Sequence, residues 1–277
     1  MADRRSSILF IFVPVLLLAS GCPEAQPNKV KNSSTLKVVD PGGWKVVQKG
    51  LEFRKISLER AEPYHLISVK MARFETRWVV PVIVRSMQYN LKGADVKTLA
   101  EKSGALAMIN ANYFDDKGRP LGFLKSAANE VNPRVSKSSL YTGIFGIKNR
   151  LPFIVHRDNF SPQQADEGLQ AGPLLLAKGN ALSITRGAGK QSRRSLVGID
   201  RDRRLIIAVA DSLFGGLSWV ELQEIFANEE WQVQATDLLN LDGGGSTQLY
   251  LKGNGIEEHV AGSTGVPVAI GFFLRTP

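Results

Sequence analysis

Cysteine is almost absent from this chain of 277 residues, which contains Cys22 alone. One cysteine cannot form an internal disulfide, so core packing must stabilise the fold. Histidine is also scarce: His65, His156 and His259 are scattered without the spacing of metal ligands, and we interpret them as structural or surface residues. No Gly-x-Ser-x-Gly segment, complete phosphate loop or dinucleotide-binding glycine fingerprint occurs. These absences exclude several common enzyme motifs.

The sequence also lacks an apolar run of the roughly 20 residues that a membrane-spanning helix needs. The shorter run over residues 8–19 follows two arginines and matches the core of an export signal. The next residues, Leu18-Ala19-Ser20-Gly21-Cys22, resemble a bacterial lipoprotein cleavage site. We therefore predict a signal peptide over residues 1–21 and lipid attachment at Cys22. The protein would then be exported and anchored through this lipid to the envelope membrane, at the outer membrane or the periplasmic face.

After the cleavage site, residues 23–35 are rich in Pro, Asn, Lys and Ser, a composition that is typical of flexible linkers. We therefore predict a flexible tether over residues 22–35, which begins with Cys22. No second linker or fixed-period repeat follows, so residues 36–277 are predicted to form a single domain. With 43% hydrophobic residues, the chain can bury a substantial core, which excludes a mostly disordered protein.

Basic residues outnumber acidic ones by 35 to 26, for a formal net charge of +9. Such a bias favours anionic partners, which include nucleic acids, phosphorylated polymers and anionic lipids. Export would separate the protein from intracellular nucleic acid. We therefore expect a phosphate-bearing sugar or glycan as the partner, and no nucleic acid.

Short apolar or alternating runs rich in Val, Ile and Phe predict a chain made mostly of strands. These runs cover residues 66–71, 78–85, 144–147, 196–200, 205–211 and 266–274, with a hairpin turn at 200–204. Helices are predicted at 96–103, between Asp95 and Gly104, and at 219–229, after a capping box that joins Ser218 to Glu221. The expected fold class is α+β, with mixed or mostly antiparallel sheets and few helices.

Each predicted helix is followed by a strand with a polar tip. The first tip contains Asn110, Asn112 and Tyr113, and in an extended strand the two asparagines would share a face. Paired amides suit the binding of sugar hydroxyls. The alternative is that Asn112 and Asp115 only shape a turn.

The second tip contains Asn240 and Asp242, which would also share a face of an extended strand. Three glycines follow, Gly243, Gly244 and Gly245, and their amides could form a nest for an anion. A flexible hairpin is the alternative, although a hairpin needs fewer glycines. Asp242 would place a carboxylate at the edge of the polar pocket.

Two further segments lie between these tips. Gly172-Pro173 predicts a tight bend before a buried strand. Arg194 begins a predicted strand and is a candidate for bidentate phosphate recognition, although a lone arginine is usually a solvated surface charge. Asp211 ends another strand, where it could be either a turn cap or a site residue.

Five segments, in their order along the chain, resemble the phosphodiester glycosidase family. They are Ile109-Asn110-Ala111-Asn112-Tyr113-Phe114, Gln170-Ala171-Gly172-Pro173, Arg194-Ser195-Leu196-Val197-Gly198, Val209-Ala210-Asp211 and Asn240-Leu241-Asp242-Gly243-Gly244-Gly245-Ser246. The resemblance implies hydrolysis of a sugar-1-phosphodiester. The sequence departs from the usual pattern of this family at Asn112, Tyr113 and Ser212. By the resemblance, the catalytic residues would be Asp242, Asp211 and Arg194. The substrate-binding residues would be Asn110, Asn112, Tyr113, Gly172, Gly243, Gly244, Gly245, Ser246 and Thr247.

Glycoside cleavage passes through an oxocarbenium-like state, and a phosphate is already a good leaving group. Binding the phosphate charge, through Arg194 and the glycine loop, would then matter more than protonating it. Asp242 is the first choice for the carboxylate that acts at the anomeric carbon or activates water, and Asp211 the second. No cofactor is expected. The alternatives are a non-catalytic lipoprotein that binds phosphorylated glycan, and a phosphoesterase in which Asp211 and Asp242 hold a divalent cation.

Overall fold

Alternation of apolar and polar residues places most of this chain in strands, because successive strand side chains point to opposite faces. The computed structural model describes residues 36–62, 64–127 and 129–275. The predicted signal peptide, Cys22 and the tether lie outside the described residues. Contacts within Ser34–Pro277 form one unit.

The strands are β1 (Leu36–Asp40), β2 (Lys45–Gln48), β3 (Leu51–Arg60), β4 (His65–Phe74), β5 (Val79–Arg85), β6 (Ala107–Asn110), β7 (Leu124–Ser126), β8 (Asn129–Asn132), β9 (Gly143–Lys148), β10 (Leu151–His156), β11 (Glu167–Ala171), β12 (Leu174–Ala177), β13 (Asn180–Ala181), β14 (Arg194–Asp200), β15 (Leu205–Asp211), β16 (Ala235–Asn240), β17 (Leu249–Gly253), β18 (Ile256–Val260) and β19 (Val268–Leu274). The α-helices are α1 (Val96–Ser103) and α2 (Trp219–Ala227).

Three antiparallel sheets are formed by these strands. The large sheet has the order β1-β3-β4-β15-β14-β16-β12-β13, with β2 paired to β3. The second sheet has the order β10-β9-β11-β7-β8, and the third β18-β17-β6-β19-β5. Because β14 runs antiparallel to both β15 and β16, its first residues lie beside the last residues of these two strands.

The main hydrophobic core lies between one face of the large sheet and the two smaller sheets. Val197 and Val209 enter it from the large sheet, Phe145 from the second and Ile270 from the third. The opposite face of the large sheet is covered by α2, and the opposite face of the third sheet by α1. Both faces of the central strands are therefore buried, which explains their nearly continuous apolar sequences.

Both predicted helices are confirmed, and so are their caps. The Asp95 side chain accepts a hydrogen bond from Lys97 N at 2.8 Å, and Gly104 ends α1 in the left-handed conformation. Ser218 and Glu221 form the capping box of α2. This helix ends at Ala227, two residues earlier than predicted. Neither helix in the described part of the chain has the length and apolar character needed to span a membrane.

The six predicted strands and the hairpin between β14 and β15 are also confirmed. The α+β class needs correction toward a sheet-dominated fold, because the described residues form nineteen strands and only two α-helices. The sequence pattern missed several strands outright, such as β3 and β10. In β3 the buried Arg54 and the exposed Lys55 interrupt the alternation of apolar and polar residues, and β10 has a proline, Pro152, at its second position.

Candidate functional site

Three of the segments singled out in the sequence meet at one edge of the large sheet. Arg194 begins β14 and pairs with Ala210, next to Asp211 at the end of β15. On the other side of β14, Leu196 pairs with Asn240, the last residue of β16. The antiparallel arrangement thus brings together residues that are far apart in the chain.

The remaining tip and the Gly172-Pro173 bend are tied to the same edge by backbone hydrogen bonds. Asp242 N donates to Ala111 O at 2.9 Å, which joins the tip after β16 to the tip after β6. Asn240 N donates to Pro173 O at 3.1 Å. All five segments therefore surround one place in the fold.

Asn110 holds these tips together from the interior. Its Nδ2 donates to Asp242 O at 2.7 Å, and its Oδ1 accepts from Ser195 Oγ at 2.6 Å and Gln248 N at 3.0 Å. The side chain is fully buried. Both polar atoms already have protein partners, so the structure gives Asn110 a positioning role in place of the predicted contact with sugar hydroxyls.

Asn112 is also buried, and its Nδ2 donates to Tyr113 O at 2.9 Å. Its Oδ1 has no hydrogen-bond partner among the described residues. The strand ends at Asn110, so the two-residue alternation that predicted a shared face does not extend to Asn112. The same limit applies to Asn240 and Asp242, because β16 ends at Asn240.

Tyr113 lies at the centre of the assembled edge. Its hydroxyl donates to Gly172 O at 2.9 Å and accepts from Asn240 Nδ2 at 3.0 Å. Burial raises the pKa of Tyr113 far above its ordinary value, the charge of Asp242 raises it further, and Arg194 partly offsets this. The phenol is therefore neutral and is close enough to Asp242 and Arg194 to respond to both charges.

Asp242 carries the carboxylate of this cluster. It accepts hydrogen bonds from Gly243 N at 2.9 Å and from the Ser246 side chain. Burial raises the pKa of Asp242, and these two hydrogen bonds partly oppose the shift. The carboxylate is therefore a stronger base than a solvated aspartate.

Arg194 supplies the positive charge. Its Nε donates to Leu217 O at 3.1 Å, its Nη2 donates to Lys190 O, and its guanidinium lies 4.7 Å from the ring centre of Trp219. The side chain is only 6% exposed, and burial lowers its pKa. No carboxylate of the described chain lies within ion-pair distance of it. Arg194 is therefore a buried cation that is hydrogen-bonded to carbonyl oxygens and is not neutralised by a carboxylate of the described chain. Such a cation is suited to bind an anionic ligand.

Asp211 has a different partner. Its Oδ1 accepts from Arg193 Nε at 2.8 Å, and Arg193 also donates from Nη2 to Ala261 O at 2.9 Å. Arg193, the residue before β14, and Arg194, its first residue, have separate sets of contacts. The structure thus groups Asp242, Arg194 and Tyr113 together, and it places Asp211 with Arg193 in an adjoining groove.

The glycine loop is a tight turn whose amides mostly donate to the protein itself. Gly243 N donates to Asp242, Gly244 N to Arg193 O at 2.9 Å, and Ser246 N and Thr247 N to carbonyls of the loop. A Cβ on Gly243 would lie 2.8 Å from Arg193 O, so this position needs glycine for close packing. Four of the loop amides thus already donate to protein acceptors, and the anion nest stays a prediction.

Tyr141 is a site residue that the sequence reasoning missed. Its ring centre lies 5.0 Å from that of Tyr113, and burial and the charge of Asp242 both raise its pKa. It follows a polar stretch without periodicity, so no signal in the sequence distinguished it. Trp219, beneath Arg194, was predicted only as the start of a helix.

The residues described in the structure contain no group of three or more His, Cys, Asp or Glu side chains that could hold a metal ion. Asp211 is paired with Arg193, and Asp242 with the glycine loop. The donor set for the cation-binding alternative would therefore be two carboxylates that are already hydrogen-bonded to other groups.

The fold and the site together define a sheet-rich protein with a candidate binding edge, where a partly buried carboxylate, a buried arginine and two tyrosines meet. A family model for phosphodiester glycosidases matches residues 103–273. This chain belongs to the phosphodiester glycosidase family. No curated protein matches its sequence.

Three solved structures are similar to this one. The catalytic domain of zebrafish N-acetylglucosamine-1-phosphodiester alpha-N-acetylglucosaminidase, auto-inhibited by its pro-peptide, has 17% identity and a TM-score of 0.62, covering 87% of this chain and 88% of that one. A Synechocystis protein has 17% identity and a TM-score of 0.61, covering 85% and 64%. A Burkholderia pseudomallei protein described as exported has 12% identity and a TM-score of 0.52, covering 75% and 74%. At these identities the similarity shows a shared fold.

Proposed function

We propose that this protein hydrolyses a sugar-1-phosphodiester at the bond between the anomeric carbon and the phosphate oxygen. The observation that carries the proposal is Arg194, a buried cation with no carboxylate partner in the described chain, in the same cluster as Asp242. Membership of the phosphodiester glycosidase family supports this reaction class. The similar zebrafish enzyme is named for a substrate of this type.

The proposed reaction uses one water molecule. The water oxygen adds to the anomeric carbon, and its proton passes to the Asp242 carboxylate, whose raised pKa favours this transfer. The bond from that carbon to the phosphate oxygen breaks, and its electron pair leaves with the phosphate monoester. Arg194 stabilises the leaving phosphate, while Tyr113 and Tyr141 position the sugar beside Asp242. Asp211 is a binding residue in the adjoining groove.

We place the substrate in the bacterial envelope, as a phosphorylated glycan or glycoconjugate. The basic composition suits such an anion, and one structural relative is described as exported. The export signal and the lipid on Cys22 remain predictions from the sequence. Together they would hold the domain at a membrane surface.

Isotope labelling can test which bond is broken. The purified protein would be incubated with methyl diesters of N-acetylglucosamine 1-phosphate, as both anomers, in water enriched in oxygen-18. Glycosidic cleavage places the label in the sugar, which we expect with and without a chelator. Label in the phosphate product, lost with chelator, would instead show a metal-assisted phosphoesterase. Binding without any product would show a non-catalytic glycan-binding protein.

The role of Asp242 can be tested with Asp242→Asn, which keeps the size of the side chain but removes the base. We expect a fall in kcat of about 100-fold or more, as for the loss of a general base. Asp202→Asn is the matched control, because Asp202 is an exposed carboxylate at the opposite end of β14 and β15. Activity near that of the wild type in Asp242→Asn would refute the assignment.

A further inference from the structure

A groove of about 920 Å³ adjoins the candidate site on the far side of Arg193. We call it the side groove and define it by Lys55, Tyr64, Leu66, Arg193, Leu213 and Phe214. Its volume lies within the range of small-molecule sites. The reaction proposed above does not use its walls, apart from the ion pair of Arg193 with Asp211.

The side groove is connected to the candidate site through the first residues of β14. The guanidinium of Arg193 lines the groove, while the carbonyl of the same residue accepts from Gly244 N at 2.9 Å. Gly243, beside it, donates to the carboxylate of Asp242. Hydrogen bonds of the glycine loop therefore link the backbone of Arg193 to the carboxylate of Asp242, so the groove and the candidate site are direct neighbours.

The outer wall of the side groove is apolar although it is exposed. Leu213 is 94% exposed and Phe214 73%, on the loop between β15 and α2. Tyr64, just before β4, and Leu66, in β4, also line the groove and are 66% and 57% exposed. Single exposed apolar residues are common, but four that line one groove mark a binding surface.

The loop that presents Leu213 and Phe214 has a defined conformation. Ser212 Oγ lies 2.9 Å from Leu66 O and 2.8 Å from Phe214 O and donates its one hydrogen to either carbonyl, which holds the loop beside β4. Gly216 has a φ of +127°, and a Cβ there would lie 2.1 Å from Ser192 O. The exposure of the two apolar side chains is therefore built into the backbone.

The charges of the side groove suit an anion at its inner end. Lys55 and Arg193 are its lysine and arginine, and Asp211, which pairs with Arg193, is its carboxylate among the lining residues. An amphipathic phosphodiester would place its phosphate near Arg193 and Arg194 and its apolar part against Leu213 and Phe214. The lining of the groove thus combines an excess of positive over negative side chains with exposed apolar ones.

We infer that the side groove binds the alcohol half of the substrate, and that this alcohol is an apolar chain. The inference rests on the proposed function and specifies its substrate class: a sugar joined through phosphate to a lipid-like alcohol. The apolar chain would lie along the groove while the sugar lies beside Asp242. A fully buried methylene contributes about fourfold to affinity, and about twofold is expected in an open groove.

The test uses methyl, butyl and octyl diesters of N-acetylglucosamine 1-phosphate below their micelle concentrations. For the wild type, kcat/KM should rise about 100-fold from methyl to octyl, at about twofold per added methylene. In the double variant Leu213→Ser and Phe214→Ser, this ratio should fall below about 10. The control Leu151→Ser, which removes an exposed leucine on β10, should keep the wild-type ratio.

Binding separates this inference from the proposed function. Calorimetry with octyl phosphate and methyl phosphate needs no turnover, and the wild type should bind the octyl compound more tightly by a similar factor. Equal binding, or hydrolysis that does not depend on chain length, would overturn the inference even if the diesters are cleaved. No cleavage of any diester, with octyl preference intact, would refute only the proposed function.

A membrane surface is the competing occupant of the apolar wall. Binding to vesicles of phosphatidylglycerol would be measured for the wild type and for the double variant. If the double variant loses vesicle binding but keeps the wild-type octyl to methyl ratio, the loop contacts membrane and the groove inference is wrong. Loss of the ratio, with vesicle binding kept, supports the groove.

Discussion

Replacing Asn110 by alanine should destabilise the fold more than it weakens substrate binding. The side chain is fully buried and makes three hydrogen bonds, to the carbonyl of Asp242, the amide of Gln248 and the hydroxyl of Ser195. These bonds join β6, β14 and the tip after β16. The Asn110→Ala variant removes all three at once.

The expected loss follows from the groups that are left behind. A buried donor or acceptor without a partner costs about 1–3 kcal/mol. The carbonyl of Asp242 and the amide of Gln248 are fixed by the backbone, while the hydroxyl of Ser195 can rotate. We therefore expect the free energy of unfolding to fall by about 3–5 kcal/mol, a large part of the roughly 5–15 kcal/mol of a typical protein.

Equilibrium unfolding in urea, followed by tryptophan fluorescence, would measure this loss. Ser195→Ala is the matched comparison, because it removes one of the three bonds and leaves Asn110 bonded to Gln248. Its cost should be about 1 kcal/mol.

The opposite pattern would refute the positioning role. If Asn110→Ala lowers the free energy of unfolding by less than about 1 kcal/mol and raises KM with kcat unchanged, the side chain contacts the substrate. The side-chain amide of Asn110 would then bind sugar hydroxyls, as the sequence pattern predicted.

Four further predictions concern Asp242, the glycine loop and the predicted leader. Burial raises the pKa of Asp242, so kcat/KM should fall on acidification at a pH above the ordinary aspartate range; a pH–rate profile checks this. Because the folded state favours the protonated form, the wild type should lose stability relative to Asp242→Asn as the pH rises through that raised pKa, which unfolding at several pH values measures. Gly243→Ala should disrupt the loop against Arg193 O and reduce both thermal stability and activity. Cys22→Ser should move the protein from the membrane fraction to the soluble fraction of its host.

Local signals in the sequence predicted much of the fold correctly. The caps at Asp95 and Ser218 depend on side chains that bond to their own helix, so neighbouring residues are sufficient to specify them. The hairpin of β14 and β15 is likewise local. The number of strands was underestimated. Strands such as β3 contain charged residues, and the burial of these residues depends on partners that are distant in the sequence.

For the candidate site, the sequence indicated the segments but not the direction of their side chains. Asn110 and Asn112 were given the same role by alternation, yet Asn110 bonds inward to Ser195 and Gln248. Tyr141 had no local signal, because its place depends on packing against Tyr113, 28 positions away in the printed sequence. Arg193 and Arg194 are neighbours in sequence with separate partners, which are brought to them by distant segments of the folded chain.

The sequence by itself determined the strand-rich pattern, the two capped helices, the basic charge and the ordered polar segments, because each depends on residue type and short-range spacing. Tertiary structure decided which polar groups meet. In the antiparallel arrangement of the strands, Arg194, Tyr113 and Asp242 lie at one edge of the large sheet. Asp211 forms an ion pair with Arg193 instead. Burial then raised the pKa of Asp242 and left Arg194 without a carboxylate in the described chain, since desolvation depends on the atoms that surround a group and not on its neighbours in sequence.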